Sequence, residues 1–153
     1  MTKAIVLTAA ALVFLPAITS AQTFSATLNG AQETPVVATP ATGTGNFTLS
    51  AAKILSYSIS FSGLLGSETV APIHCCALPG TPAGPLFDLP AGSPKVGTVG
   101  PLTAQQEADL LAGLMYVNVH SSQHTGGEIR GQILPVVPVS QDTWTLVKRL
   151  YRD

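Results

Sequence analysis

A strict alternation of large apolar residues with serine over residues 55–62 constrains the fold of this chain more than any other feature. A serine follows each of four large apolar residues, Leu55, Tyr57, Ile59 and Phe61. Successive side chains of a β-strand point to opposite faces, so the pattern predicts a strand with one buried face and one face in water. Residues 51–53 are short enough to join it to a preceding strand over residues 43–50 as an antiparallel hairpin.

The composition favours an all-β fold class. Only 10% of the residues are charged, whereas the chain contains 14 Gly and 12 Pro, a mixture typical of short strands joined by turns. Thr103 and Gln106 form a T-x-x-Q capping box, which predicts one short helix. We therefore predict an antiparallel Greek-key or immunoglobulin-like β-sandwich with that single helix. Further strands are predicted over residues 24–28, 69–74, 96–99, 116–120 and 127–133, and a long unpaired loop over residues 77–94, which are rich in Pro and Gly.

The N-terminus has the three parts of an export signal. Lys3 gives the positive start, residues 4–17 form an apolar run, and Thr19, Ser20 and Ala21 provide small residues at the cleavage positions. The run is shorter than the roughly 20 residues that a membrane-spanning helix needs. We predict cleavage after Ala21, with an uncleaved N-terminal anchor as the alternative.

These boundaries predict a signal peptide over residues 1–21, a domain over residues 22–135 and a C-terminal tail over residues 136–153. The predicted location is secreted or periplasmic, with no membrane span after cleavage. Removal of the signal takes away Lys3 and no acidic residue, so six Lys and Arg remain against eight Asp and Glu. Binding to nucleic acid is not predicted, because phosphate contacts need clustered basic residues that the domain lacks.

Five segments in this order resemble the CHRD (chordin) domain family. They are Leu-Asn-Gly-Ala-Gln-Glu-Thr-Pro from Leu28, Tyr-x-Ile-x-Phe-x-Gly-Leu from Tyr57, Pro-Ile-His-Cys-Cys from Pro72, Tyr-Val-Asn-Val-His from Tyr116 and Gly-Glu-Ile-Arg-Gly-Gln from Gly127. The resemblance covers residues 24–134. It implies a β-sandwich of the type found in chordin and in exported bacterial proteins, and it implies no established catalytic residue.

Within these segments, the polar motif residues are Glu33, Asn118, Glu128 and Arg130. The third segment departs from the family pattern. Many members resemble His-Ile-His at this place, whereas this chain has Pro72 before Ile73 and His74. Proline has no side-chain ligand, so one histidine of that pattern is lost.

Histidine and cysteine provide the candidate metal ligands, which are His74, Cys75, Cys76 and His120. Thiolate sulfur and imidazole nitrogen suit copper or zinc, and three or four such ligands make a site. The alternation over residues 116–120 places Asn118 and His120 opposite the core-facing valines, where solvent or a neighbouring loop would reach His120. The other interpretation is that His120 bonds to a backbone carbonyl and pins its hairpin.

Cys75 and Cys76 are the only cysteines in the chain. Exported proteins meet oxidising conditions, in which exposed thiols seldom stay free. Three states remain open: a disulfide between the two residues that shapes the loop, a redox-active pair, or two metal thiolates. Neighbouring Cα atoms are about 3.8 Å apart across a trans peptide, which is shorter than in most disulfides and would strain the ring.

Glu128, Arg130 and Gln132 occupy alternate positions of one predicted strand and therefore share a face. An ion pair or a cross-strand network is one interpretation, and Glu128 as a general base near His120 is the other. No nucleophile with an activating partner accompanies Glu128 in the sequence. We therefore predict a non-enzymatic binding module for an unknown protein or extracellular ligand. The alternative is a copper- or zinc-binding exported protein that uses the His/Cys site, and no other cofactor is predicted.

Overall fold

The computed structural model describes residues 21–137 and residue 148. Residues 21–137 form a mostly antiparallel β fold with one helix, which confirms the predicted class. The helix is α1 (Ala104–Leu111), and a short 3₁₀ turn covers Gly30–Gln32. The strands are β1 (Gln22–Asn29), β2 (Thr42–Leu49), β3 (Leu55–Ser62), β4 (Glu68–Cys75), β5 (Gly84–Leu89), β6 (Lys95–Val99), β7 (Tyr116–Ser121), β8 (Ile129–Gln132) and β9 (Leu134–Pro135).

All of these strands belong to one sheet. Its order is β5-β4-β7-β8-β1-β2-β3-β6, and β9 pairs with β1 outside that path. The sheet curves until it is nearly closed and barrel-like, so the division into two packed sheets is not confirmed. The predicted hairpin of β2 and β3 is confirmed, with Phe47 opposite Tyr57 and a turn in which Lys53 has a φ of 60°.

The apolar faces of the strands fill the interior of the sheet. The predicted alternation in β3 is observed, because Leu55, Tyr57 and Ile59 are buried while the serines between them are exposed. Leu110 of α1 is also fully buried and covers one side of this core. Full burial of such a side chain contributes about 1.5–3 kcal/mol. The core is therefore the main source of stability.

The prediction of an unpaired loop over residues 77–94 is wrong for the central part of that segment. Residues 84–89 form β5, which pairs with β4 so that Ile73 lies opposite Phe87 and Ala71 opposite Leu89. Proline lacks a backbone N–H and is tolerated in strands at the edge of a sheet. Pro85 satisfies this rule because β5 is the last strand on its side of the described sheet.

The predicted capping box begins helix α1. Thr103 and Gln106 form it, and each side chain bonds to the backbone N–H of the other residue.

Across the described residues, we find no helix with the length and apolar character needed to cross a membrane. The predicted signal peptide, except Ala21, and the predicted tail beyond residue 137, except residue 148, lie outside the described residues.

Candidate binding site on a polar face

The side of β4, β7 and β8 that faces away from the core carries polar and aromatic side chains. Alternate residues of a strand point to opposite faces, so the neighbours of the core residues come together here. We call this set the polar face, and it consists of His74, Tyr116, Asn118, His120 and Arg130. All of these side chains are buried except His120, which is half-buried. Loops therefore cover a surface that the sequence alone would place in water.

Ring stacking aligns four of these side chains in a column. The Arg130 guanidinium carbon lies 3.5 Å from the centroid of the Tyr116 ring, a cation–π contact. Tyr116 stacks on His74 with centroids 4.7 Å apart and planes inclined by 5°. His74 and His120 follow with centroids 6.1 Å apart and planes inclined by 15°. The column brings together two histidines that are far apart in the sequence.

Backbone carbonyls hold both histidine rings in place. His74 Nδ1 donates to the Ala83 carbonyl oxygen, and His120 Nδ1 donates to that of Thr125, each at 2.8 Å. A carbonyl only accepts hydrogen bonds, so Nδ1 carries the proton and Nε2 of the neutral ring has a free lone pair. Neither Nε2 atom has a hydrogen-bond partner, although both are buried. The carbonyl contact of His120 was one of the two sequence interpretations.

The environment keeps His74 neutral. Burial is the main cause that lowers its pKa, and the positive charge of Arg130 and the neighbouring His120 lower it further. The hydrogen bond to Ala83 opposes these effects without reversing them. At neutral pH, His74 is therefore an uncharged imidazole whose Nε2 is available as a ligand.

Glu33 and Asn118 meet beside this column at Gly127. Gly127 has a φ of 125°, and a side chain there would bring a Cβ within 2.7 Å of Glu33 Oε1 and within 2.5 Å of Asn118 Nδ2. Only glycine adopts this positive φ readily and also has no Cβ to clash with the two side chains. Asn118 Nδ2 donates to the Gly126 carbonyl at 3.4 Å, while Asn118 Oδ1 and Glu33 Oε1 are buried without a partner.

Burial raises the pKa of Glu33 to about 7. The positive charge of Arg130 and the N–H of Thr34 act in the opposite direction and offset part of this effect. Beside Glu33 lies a cleft of about 450 Å³, lined mainly by residues 31–36 together with Pro79, Gly80, Arg130 and Gln132. The cleft therefore combines apolar walls with one guanidinium and one carboxyl group whose charge depends on pH.

Glu128 does not take part in the polar face. Its side chain is fully buried and accepts hydrogen bonds from Thr39 Oγ1 at 2.6 Å and from the Leu65 N–H at 2.7 Å. Burial alone would raise the pKa of Glu128. Hydrogen bonds from Ser121, Thr39 and Leu65 outweigh that effect, so the pKa lies below its ordinary value. Glu128 joins two loops as a carboxylate, which leaves it unsuited to the general-base role considered from the sequence.

Arg130 has different partners from those that the sequence suggested. Within the described residues, its charge forms no ion pair with Glu128. Its Nη2 instead donates over long distances to Gln132 Oε1 at 3.4 Å and to the Leu78 carbonyl at 3.5 Å. The ion pair considered from the sequence is therefore wrong, and the contact between Arg130 and Gln132 runs along β8 instead of across strands. Both distances are long for an N–H···O hydrogen bond.

Comparison with known proteins supports the family assignment. A family model described as the CHRD domain matches residues 24–133. The chain belongs to the CHRD domain family. CHRD domains are common in extracellular or secreted proteins. No curated protein and no solved structure matches the chain.

The polar face and Glu33 lie within the matched CHRD domain, and so do both cysteines. Cys75 is the last residue of β4 and Cys76 follows it directly, and the peptide bond between the two residues is cis, not trans as assumed from the sequence. Cys75 packs against the core, whereas Cys76 is exposed, with its sulfur 3.1 Å from Asp109 Oδ2.

The four predicted metal ligands of this CHRD domain form two groups instead of one. In the part of the chain that the structure describes, the only group of three or more His, Cys, Asp or Glu ligand atoms within 4.8 Å is that of Cys75, Cys76 and Asp109. His74 and His120 lie together on the polar face. Sequence reasoning missed Asp109 because it belongs to a helix whose contact with Cys76 has no local pattern.

Proposed function

We propose that this CHRD-domain protein is an exported, non-enzymatic binding module that takes its ligand on the polar face and in the adjoining cleft. One observation carries the proposal, namely a cluster of buried polar atoms without hydrogen-bond partners. Five such atoms occur among the described residues, and four belong to this region: His74 Nε2, His120 Nε2, Asn118 Oδ1 and Glu33 Oε1. Buried polar atoms of native proteins are nearly always paired. Their concentration in one place supports a ligand that completes the pairing.

The chemistry of the region indicates what such a ligand presents. The imidazole nitrogens and the amide oxygen are acceptors, so they favour hydrogen-bond donors or a cation. The Arg130 guanidinium lines the cleft, so it favours a carboxylate or another acceptor group on the same ligand. Apolar walls beside these groups are typical of ligand sites, in which a few polar atoms fix the orientation.

Export is part of the proposal, and the fold is compatible with it. Strand β1 begins at Gln22, which pairs with Leu49, so cleavage after Ala21 leaves the whole sheet intact. The domain over residues 22–135 then ends with β9, whose last residue is Pro135. The proposed ligand is a protein or a smaller extracellular molecule.

Native mass spectrometry of the protein recovered from an exporting host tests the binding proposal. We expect the mass under nondenaturing conditions to exceed the denatured mass by that of a bound ligand. The denatured mass should correspond to a chain that begins at Gln22. Arg130→Lys retains the charge and loses the planar stacking group, so we expect it to reduce the occupied fraction about 10-fold. Lys53→Gln, which removes a surface ion pair with Glu107, should leave the occupancy unchanged. Equal masses under both conditions in folded protein would contradict the proposal.

We also propose that Cys75 and Cys76 form a disulfide in the exported protein. The two cysteines are neighbours in the chain, and the oxidising conditions outside the cytosol favour a disulfide over free thiols. We expect iodoacetamide to label neither cysteine in the unfolded, unreduced protein and both after reduction, as read by mass spectrometry. Labelling without a reductant would contradict the disulfide, and labelling that appears only after chelation would indicate metal thiolates. The double variant Cys75→Ser, Cys76→Ser is the control that takes no label.

A further inference from the structure

The cleft beside the polar face carries an inference that rests on the proposed function and makes it more specific. We infer that this cleft binds one α-amino acid with an apolar side chain, whose ammonium group meets the Glu33 carboxylate and whose carboxylate meets the Arg130 guanidinium. The side chain of the amino acid lies against the apolar wall of the cleft. The ligand is therefore a small zwitterion.

The two ionisable side chains of the cleft carry opposite charges and are held in place. Both line the cleft, and both are more than nine-tenths buried, with exposed fractions of 7% for Glu33 and 2% for Arg130. The N–H of Thr34 bonds to the Glu33 carboxyl group, and the Arg130 guanidinium lies on the Tyr116 ring. Side chains that are ordered before binding lose little further freedom when a ligand arrives, which favours affinity.

These two charges act on each other without direct contact. The positive charge of Arg130 lowers the pKa of Glu33, so the two groups are near each other. Within the described part of the chain, however, they form no ion pair. A cation and an anion that line one cleft in this way are complementary to a ligand that carries both charges. In an α-amino acid, the ammonium and carboxylate groups are attached to the same carbon atom, so one small molecule presents both.

The two glutamines of the cleft already have partners. The side-chain amides of Gln32 and Gln132 donate to backbone carbonyl groups at 2.6–2.9 Å. In contrast, Glu33 Oε1 is buried without a partner, and the hydrogen bonds of Arg130 are long. The glutamines therefore shape the cleft, while the two charged groups are left to bind the ligand.

The size and the walls of the cleft fit a small, partly apolar molecule. Its volume of about 450 Å³ lies near the lower end of the range for small-molecule sites, which is roughly 300–1,000 Å³. Pro35, Val36 and Pro79 form an apolar wall, and the Val36 side chain is 69% exposed. An apolar side chain that covers Val36 removes this surface from water, which favours binding. The wall therefore selects an apolar amino acid over a polar one.

Isothermal titration calorimetry of the mature protein at pH 8 tests this inference with L-leucine, L-valine and L-phenylalanine. We expect binding of one equivalent for at least one of the three. The N-acetyl and the amide derivative of that amino acid each lack one charge, so each should bind at least about 10-fold more weakly. This comparison uses only the wild-type protein and does not depend on the folding of any variant.

Glu33→Gln tests which side chain meets the ammonium group. It keeps the shape of the side chain, so we expect at least about 10-fold weaker binding of the amino acid at pH 8 and unchanged binding of the N-acetyl derivative. The carboxyl group of Glu33 ionises near pH 7, whereas Arg130 keeps its charge and Asn118 has none. Wild-type affinity should therefore rise about 10-fold from pH 6 to pH 8, and that of Glu33→Gln should stay constant. Asp88→Asn, which removes an exposed carboxylate, is the matched control and should bind as the wild type does.

Three results would overturn the inference: no binding of any of the three amino acids to the folded protein, equal affinity for the amino acid and both derivatives, or tighter binding of the dipeptide leucyl-leucine. A different ligand found by native mass spectrometry would then leave the binding proposal standing and remove only the amino acid. Equal native and denatured masses together with no amino-acid binding would remove both proposals.

Discussion

Replacement of Glu128 by alanine will lower the free energy of unfolding at pH 7 by about 3–5 kcal/mol. The side chain is fully buried and connects Thr39 before β2 with Leu65 after β3. Its removal leaves the Thr39 hydroxyl and the Leu65 N–H without an acceptor, and each such loss costs about 1–3 kcal/mol. The cavity that the missing side chain leaves behind adds to the loss of stability. Urea unfolding of the two proteins at pH 7 measures the difference.

The effect should depend on pH in a defined direction. The folded-state pKa of Glu128 lies below the unfolded value near 4.5, so its stabilisation is complete above that value. As the pH falls through the folded pKa, the carboxylate takes up a proton and this contribution is lost. The difference between wild type and Glu128→Ala should therefore shrink at pH 3.

Two variants provide the controls for this prediction. Glu128→Gln keeps one acceptor oxygen and the shape of the side chain, so we expect a smaller loss than for alanine. Asp88→Ala removes an exposed carboxylate and should change stability by less than about 0.5 kcal/mol. A Glu128→Ala protein as stable as wild type at pH 7, or one whose deficit grows in acid, would contradict the assigned role.

The strands were predictable because their signal is local. The alternation in β3 depends only on which face of one strand is buried, and Leu55, Tyr57 and Ile59 satisfy it. The capping box at Thr103 is also contained within four residues. Strand β5 escaped prediction because Pro85 is normally unfavourable in a sheet, and only its edge position makes it acceptable.

The polar face was only partly predictable because it is built from distant contacts. The residue types were visible, and His74, His120, Asn118 and Arg130 were all selected from the sequence. The burial of these side chains was not visible in the sequence, because it depends on loops that supply the carbonyl groups of Ala83 and Leu78. The sequence also failed to predict the role of Glu128, whose hydrogen-bond partner Thr39 is 89 residues away. No periodic pattern encodes such a contact.

Glu33 gives the second large expected effect. Glu33→Gln will be more stable than wild type by about 2–3 kcal/mol at pH 8, and equal to it within error at pH 4. The folded-state pKa of Glu33 is raised from 4.5 to about 7, so the buried site favours the neutral carboxyl group. Well below pH 4.5 the carboxyl is neutral in both states. As the pH rises from 4.5 to about 7, the carboxyl of the unfolded chain ionises while that of the folded chain stays protonated, so the stability of the wild type decreases across this range.

Glutamine has the shape of a protonated glutamate and never ionises, so Glu33→Gln avoids that decrease. Urea unfolding at pH 4, 6 and 8 measures the expected rise in the difference. Glu107→Gln, which loses only a surface ion pair with Lys53, should change stability by less than about 0.5 kcal/mol at pH 8. A difference for Glu33→Gln that is flat across this range, or reversed in sign, would contradict the raised pKa.

The stability difference between wild type and Glu33→Gln also bears on why the chain has glutamate at position 33. A residue that lowers stability at neutral pH, where glutamine would not, is typical of sites kept for function, because binding sites often require groups that the fold alone would not favour. Glu33 lines the cleft, lies close to Asn118 at Gly127 and interacts with the charge of Arg130. A ligand that donates to its carboxylate would lower the pKa of Glu33 and restore the lost stability. The wild type should therefore gain more stability from its ligand at pH 8 than at pH 5, and Glu33→Gln should show no such difference.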